Sequence, residues 1–219
     1  MKRNLLTRSL LVTAASTLAI TLSACGSDDD ASSESTSAAT SSSEASEEAM
    51  PMASDEPFGP ACAQVPTEGE GSVQGMADDP VATAASNNPL LSTLVQAVTA
   101  AGLGDTLNTT DDITVLAPAN PAFEAVPEDA LSALLADTDM LTAVLTHHVI
   151  PGRLGPDELA GTHETLNGDE VTIEGSGEEF SIAMDGTVVG MEASVICGNV
   201  QTANATVYVL DQVLKPAGM

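Results

Sequence analysis

An α+β domain, helices first and a largely antiparallel sheet after them, is what the order of hydrophobic periods in this chain predicts. Between Pro80 and His148 apolar residues recur at three- and four-residue spacing. Beyond His163 the pattern becomes strand-like, punctuated by Asn167-Gly168 and Asp185-Gly186. One short β-type run, Thr114-Val115-Leu116-Ala117, lies among the helices and has to find its partners in later strands.

In chain order, Asp79-Pro80-Val81 and Asn88-Pro89-Leu90 each set a capping residue before a Pro at the first helical position, so two helices start there. Leu90, Leu91, Leu94, Val95 and Val98 form the apolar face of the second, and Gly102 is its C-terminal cap. A strand is expected at 113–117, closed by Pro118. Helices at about 127–135 and 138–148 follow, the second presenting Leu141, Val144, Leu145 and His148 on one face. That face implies a buried, hydrogen-bonded His148, with His147 turned about 100° away and exposed. Asn167-Gly168 predicts a hairpin through a type I′ turn, and Asp185-Gly186 a second one between Phe180–Met184 and Thr187–Val189. Ala205–Leu210 and Val213–Pro216 read as the closing strands.

The domain expected at 61–219 is preceded by two other segments. Residues 1–24 carry Lys2, Arg3 and Arg8, no acid, and an apolar run from Leu10 to Leu22, which is the pattern of a signal peptide. The run ends Leu22-Ser23-Ala24-Cys25-Gly26 and resembles a bacterial lipobox, implying lipidation of Cys25 after cleavage. Two or more acyl chains hold a protein stably on a membrane where one does not. From Cys25 to Pro60 the composition is Ser, Ala, Thr, Glu and Asp, expected as a disordered acidic stalk of roughly 30–35 Å end to end. Its Ser and Thr residues are compatible with O-linked sugars, and Met50-Pro51-Met52 lacks the further donor a Cu(I) site needs.

With 32 acidic against 5 basic side chains, a net charge of −27, no Trp, three Phe and one Tyr, the chain has neither the cations nor the stacking surface for nucleic acid. Signal cleavage leaves Arg153 and Lys215 as the only basic residues. No serine of the folded part stands in a Gly-x-Ser-x-Gly elbow. His163-Glu164-Thr165-Leu166-Asn167 has Asn where a zinc protease places its second His, and it abuts a turn that ends any helix. The acids form no EF-hand loop. Asn108-Thr109-Thr110 and Asn204-Ala205-Thr206 fit a glycosylation pattern, but Asn204 is better used at the turn into the last long strand. No catalysis and no cofactor are expected.

Three blocks carry a family resemblance. Thr114 through Phe123, including Asn120, resembles the first signature of fasciclin domains. Asn204 through Pro216, with Tyr208 and Asp211, resembles the second, and Leu145–Gly152 the segment between them, with His148 on its histidine position and His147 where the family has Tyr. Ser72–Ala82 and Val195–Tyr208 are similar to the secreted and lipid-anchored mycobacterial antigens of that family. The resemblance implies a β-wedge with packed helices, no enzymatic activity, and adhesion or recognition at cell surfaces, with the Asp211 neighbourhood and the helical face before the first block as candidate surfaces.

Once Cys25 is lipidated, Cys62 and Cys197 are left to pair or to remain thiols, and neither belongs to a Cys-x-x-Cys. The resemblance implies a bridge between them. The expected protein is therefore a monomeric domain anchored through Cys25 at the extracytoplasmic face of a bacterial membrane or wall, with a shed or secreted fraction, meeting an unidentified protein or matrix partner. The alternative is a carrier of a small apolar or lipid ligand, which a lined cavity of about 300 Å³ or more would favour.

Overall fold

The computed structural model of the protein describes residues 56–219. The leader, Cys25 and the acidic segment as far as Ser54 and Asp55 lie outside the described residues. Four helices come first: α1 (Val73–Ala77), α2 (Val81–Asn87), α3 (Ser92–Ala100) and α4 (Gly104–Thr109). Strand β1 (Ile113–Pro118) follows, then α5 (Asn120–Glu124), α6 (Glu128–Ala136) and α7 (Thr138–His147). The second half holds β2 (Val149–Pro151), α8 (Pro156–Leu159), β3 (Gly161–Glu164), β4 (Glu170–Ser176), β5 (Glu179–Ile182), β6 (Ala193–Gln201) and β7 (Ala205–Leu210).

All seven strands join one sheet in the order β2-β1-β7-β6-β5-β4-β3. The pairing of β1 with β7 is parallel, from Ile113 against Ala205 to Pro118 against Leu210, and every other pairing is antiparallel. Both faces of β1 and β7 are covered, which is why they read as unbroken apolar runs. Val115, Ala117, Val207 and Val209 point into a core shared with the helices, while Leu116, Tyr208 and Leu210 point into a second core with Phe58, Ile150, Leu159 and Phe180.

Helix α3 ends as expected: Gly102 takes φ +67, its amide donates to Thr99, and the next amide, of Leu103, reaches back to Val98. Five expectations need correcting. Asp185-Gly186 makes no hairpin; Met184–Gly186 wind into a 3-10 turn, and the chain leaves β5 to bond with the C-terminal segment instead. There the Val188 amide donates to Val213 at 2.9 Å and the Lys215 amide to Gly186 at 2.9 Å, so 213–216 is a tie and not a sheet strand. The β3–β4 hairpin exists, but its five-residue loop takes positive φ at Gly168 and not at Asn167, so the turn is not type I′. Chain packing begins ahead of Ala61: Phe58 is buried in the second core and exchanges both backbone hydrogen bonds with Gly198. Finally, Pro80 is the N-cap residue of α2 and not its first residue.

Candidate functional site

The asparagines of the two signature blocks are capping residues that act across the fold. Asn204, buried at the β6–β7 turn, accepts from the Val81 amide at 2.8 Å and donates to the Leu107 and Thr110 carbonyls, both at 2.7 Å. It thereby caps the start of α2 and the end of α4 together, satisfying groups those helices cannot bond themselves. Asn120 does the same for the next helix along: its Oδ1 accepts from the Thr93 amide at 2.9 Å and its Nδ2 donates to the Pro89 carbonyl at 2.8 Å. Helices α2, α3 and α4 are thus fixed against β1 at a chosen height.

Beneath them is a cavity of about 270 Å³, open on one side, between α2, α3, α4, the end of α7 and β1. Leu94, Val98, Val115, Leu145 and Val149 make its walls and floor, all buried. Thr83, Ser86, Thr99 and Asp105 stand exposed among its lining residues, at the rim. The Ser86 and Thr99 hydroxyls donate back to the Ala82 and Val95 carbonyls, so each turns acceptor lone pairs outward.

His148 also borders the cavity and is 2% exposed. Its Nδ1 donates to the Val144 carbonyl at 2.7 Å and its Nε2 accepts from the Leu214 amide at 3.0 Å, which fixes one neutral tautomer. Burial pulls its pKa from 6.5 down to about 4, outweighing the Val144 bond, with His147 lowering it further. The ring is a joint between α7 and the C-terminal segment, as the apolar face predicted, and has no free nitrogen for a metal.

The other predicted residues lie elsewhere. Phe123 packs in the helical core beside a separate groove of about 260 Å³ between α3, α6 and α7. Tyr208 is fully buried on the opposite face of the sheet and donates to the Leu154 carbonyl at 2.9 Å. Burial, then the charge of Glu158, pushes its phenol well above the usual value. Asp211 accepts from the Ser194 amide at 2.7 Å and clamps the end of β7 to the start of β6. Cys62 and Cys197 form the disulfide, which ties the entering chain to β6.

His147 corrects an expectation: it is 3% exposed, not solvated. Its Nδ1 donates at 2.7 Å to Asp169, which lies in the β3–β4 loop. Asp169 is the hub that residue spacing did not point to. It also accepts from Thr165, from Asn167 at 3.1 Å and from the Ala217 amide at 2.8 Å. Burial alone would raise its pKa, but the bonds from Thr165, His147, Ala217 and Asn167 outweigh it and hold the carboxyl well below the usual carboxylate range. Arg153 is likewise consumed internally, donating to the Thr202 and Ala205 carbonyls and to Gln201. Among the described residues no three His, Cys, Asp or Glu converge as metal donors.

Comparison with known proteins matches residues 89–216 to the fasciclin domain. The cell surface glycolipoprotein MPB83 of Mycobacterium bovis is 43% identical over 176 residues, covering 77% of this chain and 76% of its own length. The immunogenic protein MPB70 of the same species is 43% identical over 175 residues, covering 76% and 86%. The protein sll1483 of Synechocystis is 35% identical over 134 residues, covering 60% and 71%. Among solved structures, the FAS1 domain pair of the insect cell adhesion molecule Fasciclin I superposes with a TM-score of 0.51 at 15% identity, over 64% of this chain; the match spans about half, 52%, of that two-domain chain. Signature blocks, mixed seven-stranded sheet and relatives agree, and the chain belongs to the fasciclin-domain family.

Proposed function

We propose that this chain is a non-enzymatic lipoprotein, anchored through Cys25 on the outer face of a bacterial membrane, that presents its fasciclin domain for recognition of a protein partner. The observation that carries this reading is the lipobox at Leu22–Cys25 followed by a Ser-rich acidic segment, on a chain 43% identical to a protein named a cell surface glycolipoprotein. The Cys62–Cys197 disulfide supports an oxidising compartment. The 32 residues between Cys25 and Phe58 would set the domain about 30 Å from the lipid surface as a flexible coil. The chain is strongly acidic, and the Arg153 guanidinium is spent on the Thr202 and Ala205 carbonyls, so a partner would meet mostly carboxylates.

The test is fractionation of cells expressing the native chain and Cys25→Ser. The native protein is expected in the membrane fraction with acyl mass on Cys25, and the variant in the medium with its disulfide intact. A variant that stayed in the membrane fraction, or a native protein without acyl mass, would overturn the anchor.

A further inference from the structure

We infer that the cavity beneath α2, α3 and α4 binds one acyl chain carried on a neutral, hydroxyl-bearing headgroup. The occupant follows from three observations. First, the interior is walled by Leu94, Val98, Val115, Leu145 and Val149, and the one polar ring reaching it, His148, has both nitrogens bonded within the protein. Behind the rim such a space offers apolar contact, and poorly held water in it is displaced with gain by an apolar group. Second, at about 270 Å³ it has room for roughly nine or ten carbon-sized groups, taking each as nearly the size of a water molecule at about 30 Å³. That is short of a whole drug-sized ligand but suits the end of an alkyl tail entering from the open side, with the head left at the rim.

Third, the rim selects the head. Asp105 is the only charged residue lining the cavity, and no Lys or Arg stands beside it. Ser86 and Thr99 have spent their protons on helix carbonyls and present lone pairs. Thr83 and Asn108 add donor protons to the lining, Thr83 because its hydroxyl oxygen accepts from Asn108 at 3.3 Å, but the carboxylate has no cation to offset it; such a rim disfavours a fatty acid anion or a phosphate and pairs with the hydroxyls of glycerol or a sugar. The site goes beyond partner recognition and is independent of the anchor at Cys25.

The experiment titrates the full chain carrying Cys25→Ser, so that no attached acyl group competes, with 1-decanoylglycerol, decyl glucoside and decanoate, each below its micelle concentration. Calorimetry reads affinity, and methyl NMR reads location. The expected result is saturable binding of at least one neutral probe, tenfold or more tighter than decanoate, with shifts at Val98, Leu145 and Val149. A preference between the two neutral heads names acylglycerol or glycolipid as the source. Val95→Trp, which places a ring among the lining residues at a half-buried position, should abolish binding, and Asp105→Asn should narrow the gap to decanoate severalfold. No saturable binding of either neutral probe, binding with shifts elsewhere, or decanoate binding as tightly as both would overturn the proposal. Should Val95→Trp fail to fold, the shift map and the Asp105→Asn comparison decide it alone.

Discussion

Asn204 satisfies three backbone groups on two helices that lie 94 to 123 residues away in the chain. Removing its amide leaves one amide and two carbonyls to find other partners where little water reaches. Each such group costs about 1–3 kcal/mol if left unmade. Asn204→Ala is therefore expected to lower stability by about 2–4 kcal/mol in urea unfolding; an unchanged midpoint would show that water replaces the side chain. His148 makes a different prediction. Its folded pKa of about 4 lies below its ordinary 6.5, so the unfolded chain takes up a proton that the folded one refuses. Its contribution is complete above pH 6.5 and declines as pH falls toward 4, by up to about 3 kcal/mol. His148→Gln should flatten the pH dependence in that window, whatever it does to stability at neutral pH. Asp169 adds a further loss only in stronger acid. Its depressed carboxyl gives stability present above its ordinary value of 3.8 and lost as pH falls through its lower folded value.

At the scale of elements, the entering strap shows how a segment with no regular structure is made part of the fold. Phe58 sits tilted against Phe180 and Tyr208 at centroid distances of 5.9 and 6.3 Å, and bonds Gly198 on both sides of its own peptide. A Cβ at Gly198 would lie 2.4 Å from the Phe58 ring, and one at Gly59, where φ is +106, would lie 2.5 Å from the Ile196 carbonyl oxygen. Strap and sheet edge meet too closely for any side chain there. The disulfide four residues beyond Phe58 then closes a loop with a sequence separation of 135. Cys62→Ala with Cys197→Ala is expected to cost about 4–5 kcal/mol, on the model in which the bridge restricts the unfolded chain. Thermal unfolding with and without reductant measures it, and a native chain whose midpoint ignores reduction would show that the strap holds by packing alone.

At the scale of the whole molecule, β1 lies between two strands of the second half, antiparallel to β2 and parallel to β7, and so joins the two halves of the domain. Helices that belong to the first half are capped by Asn204 from the second, so neither half completes its own hydrogen bonds. Across this body the charge is far from balanced, with 32 acids and 5 bases in the chain. Repulsion among carboxylates is screened over about 10 Å at 0.1 M salt and about 3 Å at 1 M. The thermal midpoint is expected to rise by several degrees between 10 mM and 1 M NaCl, and to rise no further with a neutral osmolyte matched in osmolality. A midpoint that fell with added NaCl would mean that attractive pairs outweigh the repulsion.

Local patterns determined a good part of this protein. The apolar stripes of α3, α6 and α7 are each at least nine residues long, enough for a helical period to declare itself, and β1 and β7 read as buried strands from their unbroken runs. The burial of His148 followed from its place on such a stripe. Helices α1, α5 and α8, of five residues or fewer, are too short to show a period, and β2 has three residues. His147 points away from the apolar face of α7, and spacing alone assigned it to water. It is buried because the loop around Asp169 and the C-terminal segment at Ala217 close over it, contacts that lie 22 and more residues away. The candidate cavity belongs wholly to this second class. Its walls come from α2, α3, α4, α7 and β1, and its existence depends on how far apart Asn120 and Asn204 hold those elements. Residue order specifies which faces avoid water, because that is decided within a turn or two of chain. The space left between such faces depends on capping and packing among residues a hundred positions apart, and only the assembled fold sets it.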